Sequence, residues 1–159
     1  MIERYTRSQM GDIFALQNKF EIWKDIEVLA CEAQAQLGQA GITPDEAAWI
    51  RAHAGFDVAR IDELEATLNH DVIAFLTSMA EHIDADVSAG EPKPSRWVHY
   101  GMTSSDLGDT ALCYQITQAV DLIVQEVRTL GAICKRRAFE FKDVLCVGRT
   151  HGIHAEPMT

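Results

Sequence analysis

Residues 103–141 read TSSDLGDTALCYQITQAVDLIVQEVRTLGAICKRRAFEF. Within this stretch Leu112, Ile116, Ala119, Ile123, Val127, Leu130 and Cys134 step by 4, 3, 4, 4, 3 and 4. That is the spacing of one helix face. Thr103, Ser104, Ser105 and Asp106 offer several N-cap residues at its start. Apart from Gly108 and Gly131, nothing interrupts the pattern before Phe141. A helix over 105–140, about 36 residues, is about 54 Å long at roughly 1.5 Å per residue. The mean helix is only about 11–12 residues. So long an apolar seam needs partner helices of similar length, as in a bundle. The predicted fold is therefore all-α, with an N-terminal helical domain over 1–102 and the start of a helical-bundle domain over 103–159.

Upstream, shorter helices are predicted over 18–37, 44–53, 57–67 and 71–83. Ile22, Ile26, Leu29, Ala33 and Leu37 mark the expected buried face of the first, and Gly38 is placed to end it. Thr43-Pro44-Asp45-Glu46 has the form of a capping box with proline in the first turn. Asp57 caps the next helix. Residues 85–96, with Gly90, Pro92 and Pro94, read as a non-helical surface loop. Downstream, 143–148 is a short apolar run of extended character. Ala155-Glu156-Pro157 reads as a helix start. The chain is thus expected to be an N-terminal fragment of a larger all-helical protein.

Composition narrows the partners. The 159 residues carry a formal charge of −10, and 47% are hydrophobic, enough for a core. The first hundred residues hold 8 basic and 17 acidic groups. An acidic chain without a basic tract is a poor match for nucleic acid or for anionic membrane surfaces. No apolar run approaches the roughly 20 residues needed to span a bilayer. The N-terminus lacks a signal-peptide core. Cys31, Cys113, Cys134 and Cys146 stand too far apart for a metal knuckle or a disulfide scaffold, which points to a reducing, cytoplasmic setting.

Four places hold polar groups beyond structural need. Arg4-Tyr5 sets a guanidinium beside a phenol, a pairing that can grip phosphate or carboxylate, although a terminal salt bridge is the blander account. In Asn69-His70-Asp71, Asn69 is the expected N-cap and Asp71 complements the helix dipole, which leaves His70 free for hydrogen bonding or proton transfer. His99-Tyr100-Gly101-Met102-Thr103-Ser104-Ser105 leads into the long helix. One hydroxyl suffices for a cap, and three exceed that need, so an anion-binding loop is expected. Gly148-Arg149-Thr150-His151-Gly152-Ile153-His154 is read as a loop leading to a helix. His151 and His154 raise a metal site, but no Cys or carboxylate cluster accompanies them, and acid–base chemistry by one histidine is the better reading.

Taken together, Arg4-Tyr5, His70-Asp71-Val72, the run from Trp97 to Asp106 with Asp109-Thr110-Ala111, and Gly148 to Pro157 resemble the N-terminal part of the adenylosuccinate lyase family, in the fumarase/aspartase superfamily. The resemblance covers the whole chain. It implies β-elimination of fumarate from adenylosuccinate to give AMP, and from the succinylated aminoimidazole carboxamide ribotide of purine biosynthesis. It implies His151 as general acid and His70 as its assistant at the substrate. Arg4 and Tyr5 would hold the nucleotide end, Asn69 and Asp71 would line the nucleotide site, and Thr103 and Ser104 would bind succinyl or phosphate oxygens. His99 is carried over less directly. No metal or organic cofactor is expected, and the family forms homotetramers whose sites draw on three subunits. The family's mobile serine loop, expected to carry the base, is not in this chain, so the chain alone is expected to be inactive. The alternatives are another lyase of the superfamily, acting on argininosuccinate, aspartate, fumarate or a carboxymuconate, and a non-catalytic helical module that binds partners through its seam.

Overall fold

The computed structural model describes residues 2–38 and 41–159. Its helices are α1 (Ser8–Ile13), α2 (Leu16–Leu37), α3 (Pro44–His53), α4 (Val58–Leu68), α5 (Asp71–Ile83) and α6 (Ser104–Phe141). Strands β1 (Cys146–Thr150) and β2 (Ile153–Met158) follow. Short 3-10 turns cover Glu3–Tyr5 and Pro94–Trp97. The all-α reading stands, and so do the helices expected over 18–37, 44–53, 57–67, 71–83 and 105–140. The second short turn enters the expected non-helical stretch 85–96, because Pro94 at its first position presets the backbone while Asp84 accepts from the Ser95 amide and hydroxyl.

Local chemistry explains the boundaries. Gly38 ends α2 in the left-handed region, φ 64°. The Thr43 hydroxyl accepts from the Glu46 amide while the Glu46 carboxylate accepts from the Thr43 amide, a full capping box. Asp57 caps α4 by accepting from the Arg60 amide at 2.7 Å. Trp49 Nε1 donates to the Ile83 carbonyl, one of the orphan acceptors at the end of α5.

Contacts divide the chain into two units, Met1–Gln118 and Ala119–Thr159. The first has a continuous core drawn from α2 to α5 and the first turns of α6, including Phe20, Trp23, Ile50, Ile61, Phe75, Met79, Ile83 and Leu107. The Phe20 and Phe75 rings stack with centroids 5.6 Å apart, and Trp23 meets Phe75 edge-on at 5.4 Å. Gln115 Nε2 donates to the Ile13 carbonyl, tying α6 to the corner between α1 and α2.

One sequence expectation fails inside this core. The buried face of α2 carries Phe20, Trp23, Glu27 and Cys31, not the face read from its aliphatic spacing. Ile22 is buried, but Leu29 and Leu37 are 55% and 70% exposed. The aromatic rings supply more burial area than the aliphatic row, so they claim the interior. The aliphatic face instead lines an open cavity of about 340 Å³ with Asp25, Thr110 and Tyr114.

The second unit holds the remainder of α6 and a hairpin. Strand β1 pairs antiparallel with β2, with Thr150 opposite Ile153 and Arg149 opposite His154. His151 and Gly152, φ 50° and 73°, make the two-residue turn, the double-positive geometry that matches strand twist. This corrects two expectations: 148–154 is not a loop leading to a helix, and Ala155-Glu156-Pro157 does not start one. Pro157 lies in β2 opposite Val147. A two-stranded ribbon leaves one edge of each strand unpaired, where a missing N–H is harmless. The irregularity at Gly148 belongs to the same hairpin, since a Cβ there would sit 3.1 Å from Met158 Sδ and 3.2 Å from the Glu156 carbonyl.

Candidate active site

The polar anchors meet the structure unequally. In the first, the Arg4 guanidinium lies over the Tyr5 ring, 4.8 Å from its centroid. Tyr5 is exposed.

The second anchor inverts the expected division of labour. Asn69 is not the N-cap of α5. It sits at φ 53° as the C-cap of α4, its amide donating to the Glu65 carbonyl at 2.8 Å. His70 caps α5, with Nδ1 accepting from the Ile73 amide at 3.4 Å. The turn between the helices needs a left-handed residue, and asparagine tolerates that conformation well. A ring whose Nδ1 accepts carries its proton on Nε2 when neutral, so His70 presents a donor. Asp71 accepts from its neighbour's amide, Val72 N, at 2.8 Å, and lies 3.7 Å from Lys19 Nζ. Lys19 escaped the sequence reading. It lies 4.3 Å from the centre of the Trp23 ring as well, so its cation is held by an aromatic face and a carboxylate together.

The third anchor is a loop gripped from below. His99, φ 63°, donates its amide to Glu27 Oε2 at 2.7 Å, and its Nδ1 lies 2.6 Å from Glu27 Oε1. Cys31 Sγ donates to the Trp97 carbonyl at 3.5 Å, and Gln34 Nε2 donates to the Tyr100 carbonyl at 2.9 Å. Glu27, Cys31 and Gln34 are four and three residues apart, one face of α2. Burial first, then the charges of Glu27 and Glu32, push the Cys31 thiol up to about 12, so this cysteine is a structural donor and not a nucleophile. Glu27 also escaped the sequence reading. The signal was present: an acid at a core position in the aromatic row of α2.

At the start of α6, Asp106 Oδ2 accepts from the Thr103 amide at 2.9 Å. The carboxylate thus takes a capping role, and the hydroxyls of Thr103, Ser104 and Ser105 make no hydrogen bond among the described residues. They stand beside the free amides of a helix N-terminus, a position suited to anionic oxygens.

The fourth anchor lies in the second unit. His151 stands at the hairpin turn and His154 in β2, both exposed, with Arg149 directly across from His154. Among the described residues no group of three or more His, Cys, Asp or Glu is arranged to hold a metal ion. No described helix is long and apolar enough to cross a membrane.

Comparison with known proteins bears on what these groups serve. A protein family described as lyase matches residues 3–159. The chain is 43% identical over 159 residues to adenylosuccinate lyase of Bacillus subtilis and 43% identical over 162 residues to that of Aquifex aeolicus. In both cases all of this chain is matched, but it spans only 35% of the relative's length. Among solved structures, a fumarate lyase from Mesorhizobium sp. BNC1 superposes with TM-score 0.82 at 25% identity, covering 96% of this chain and 34% of that one. The 3-carboxy-cis,cis-muconate lactonizing enzyme of Pseudomonas putida gives 0.83 at 28%, with the same coverage.

Proposed function

The chain belongs to the lyase family, and from that premise we propose that it acts, within a longer protein, as an adenylosuccinate lyase. The reaction eliminates fumarate from adenylosuccinate to give AMP, and from the succinylated aminoimidazole carboxamide ribotide. The observation that carries this reading is 43% identity to adenylosuccinate lyases along the whole of the chain. The setting is cytoplasmic and the assembly a homo-oligomer, with the exposed face of α6 available to other copies.

In such an elimination a base removes a proton from the succinyl carbon beside one carboxylate. The electron pair becomes the C=C bond of fumarate as the bond from the neighbouring carbon to nitrogen breaks. An acid protonates the departing nitrogen. His151 is the acid in this proposal, because an imidazole holds and yields a proton near neutral pH and the hairpin turn leaves its ring accessible. His70 assists by donating from Nε2, the nitrogen its capping role leaves protonated. Asn69 and Asp71 line the nucleotide site beside it. Thr103 and Ser104 receive succinyl or phosphate oxygens at the start of α6. Arg4 and Tyr5 hold the nucleotide end, and His99 contacts the substrate from the loop before α6.

A second reading keeps the chemistry and changes the substrate, favoured by the 28% likeness to a carboxymuconate enzyme. A full-length protein carrying this chain should release fumarate from adenylosuccinate and leave argininosuccinate, aspartate and carboxymuconate untouched. Turnover of one of those instead of adenylosuccinate would establish the second reading. His151→Gln should lower turnover about 10²–10⁴-fold, with His154→Gln milder. Activity of His151→Gln within about threefold of wild type would remove His151 from the acid's role.

A further inference from the structure

Glu27 has no exposure at all, yet it sits in the middle of α2 among Trp23, Val28 and Cys31. A carboxylate there is expensive unless both oxygens are satisfied, and an apolar residue of similar volume is commonly as stable or more so. Both oxygens are spent on one residue: Oε2 accepts the His99 amide, and Oε1 lies 2.6 Å from the ring Nδ1. His99 in turn adopts φ 63°, a left-handed conformation uncommon for a residue with a side chain. A buried acid and a strained histidine that satisfy each other are the arrangement expected when a ring must be held in one orientation and one protonation form.

We propose that Glu27 is a positioning residue for His99, fixing its proton on Nδ1 so that Nε2, an acceptor, is the ring atom that meets the substrate. An ionised carboxylate only accepts, so a ring nitrogen 2.6 Å from it carries the proton. Nε2 makes no hydrogen bond among the described residues and is not among the buried polar atoms left without one, so it reaches solvent. The ring is 18% exposed, enough for one edge. Cys31 and Gln34 hold the carbonyls of Trp97 and Tyr100 on either side, so the loop cannot slide while the ring is fixed. His70, whose Nδ1 accepts, presents a donor, and His99 in this form presents an acceptor. The identity of what meets Nε2 rests on the lyase reading; the tautomer does not.

Long-range proton–nitrogen spectra of the 159-residue chain at alkaline pH should show His99 in the Nδ1–H form. Glu27→Gln, which exchanges one acceptor oxygen for an NH2 donor, should move the ring substantially to the Nε2–H form. A wild-type His99 found as Nε2–H overturns the proposal whether or not the variant folds. In a full-length protein, Glu27→Gln should lower kcat/KM about tenfold or more, and should add less than about twofold once His99→Gln is present, as coupled residues do. Losses that simply multiply would overturn the positioning role. A wild-type full-length protein without lyase activity would sink the proposed function instead, and the spectra would still decide the tautomer.

Discussion

The two units of this chain treat apolar residues in opposite ways. In Met1–Gln118, Phe75, Ile50, Ile61 and Met79 have no exposed surface. In Ala119–Thr159, Val127 and Leu130 are 61% and 60% exposed, and every residue of β2 is exposed. Both stretches carry regular apolar spacing, so periodicity does not separate them. The difference lies in partners. Helices α2 to α5 meet at short connections and cover one another. The later turns of α6 follow the same helical code without a facing helix among the described residues. A seam so regular and so bare is a surface waiting for cover, worth roughly 25 cal/mol for each Å² removed from water.

The sharpest way to break this contrast is to truncate one apolar side chain in each unit. Phe75→Ala removes a ring that touches Phe20, Trp23 and Phe56. It should lower unfolding free energy by about 3–5 kcal/mol in denaturant titration. Leu130→Ala, at the exposed seam, should change it by less than about 0.5 kcal/mol. Equal losses would mean that the seam is covered in solution.

A smaller effect tests the capping box that begins α3. Burial opposes ionisation of Glu46, but hydrogen bonds from the Thr43 amide, Trp97 Nε1 and the Thr43 hydroxyl, with the Arg96 charge, outweigh it and hold the carboxyl below its usual 4.5. A carboxyl lowered on folding stabilises fully above its unfolded value, and that contribution is lost as pH falls through the folded value. Glu46→Ala should therefore cost about 1–2 kcal/mol near neutral pH, with the gap from wild type closing as pH drops below about 4.5. A gap independent of pH would contradict the assignment.

Thiol labelling reads the same contrast with no effect on stability. Cys113, Cys134 and Cys146 are exposed and should react promptly, whereas Cys31 should react only on unfolding. Protection of Cys134 that disappears on dilution would sharpen the picture, showing that copies of the chain cover the seam.

Much of this was legible in the residues. Helix boundaries followed from caps with a mechanism, at Gly38, Thr43, Asp57 and the start of α6, because capping is local and the local sequence contains it. What was not legible depended on distant partners. The aliphatic row of α2 and its aromatic row are equally periodic, and only α5, bringing Phe75 to Phe20 and Trp23, decides which is buried. The role of Glu27 was not legible because its partner, His99, lies 72 residues away. The ending Ala155-Glu156-Pro157 misled for a different reason: proline is tolerated both in a first helical turn and on a ribbon edge, and strand pairing with Val147 settled it. His70 took the N-cap expected of Asn69 because the turn between α4 and α5 needs one left-handed residue, and Asn69 fills that place as the C-cap of α4.

In the proposed reaction His151 is the leaving-group acid, and the base that removes the succinyl proton is not among the residues assigned a role in this chain. A fumarate assay of the purified 159-residue chain with adenylosuccinate, run beside a full-length protein carrying it, tests this most directly. Proton abstraction is a separate requirement from leaving-group protonation, so no multiple-turnover release is expected from the chain alone and ready release is expected from the full-length protein. Turnover by the chain near the full-length rate would contradict it and place the base among these residues.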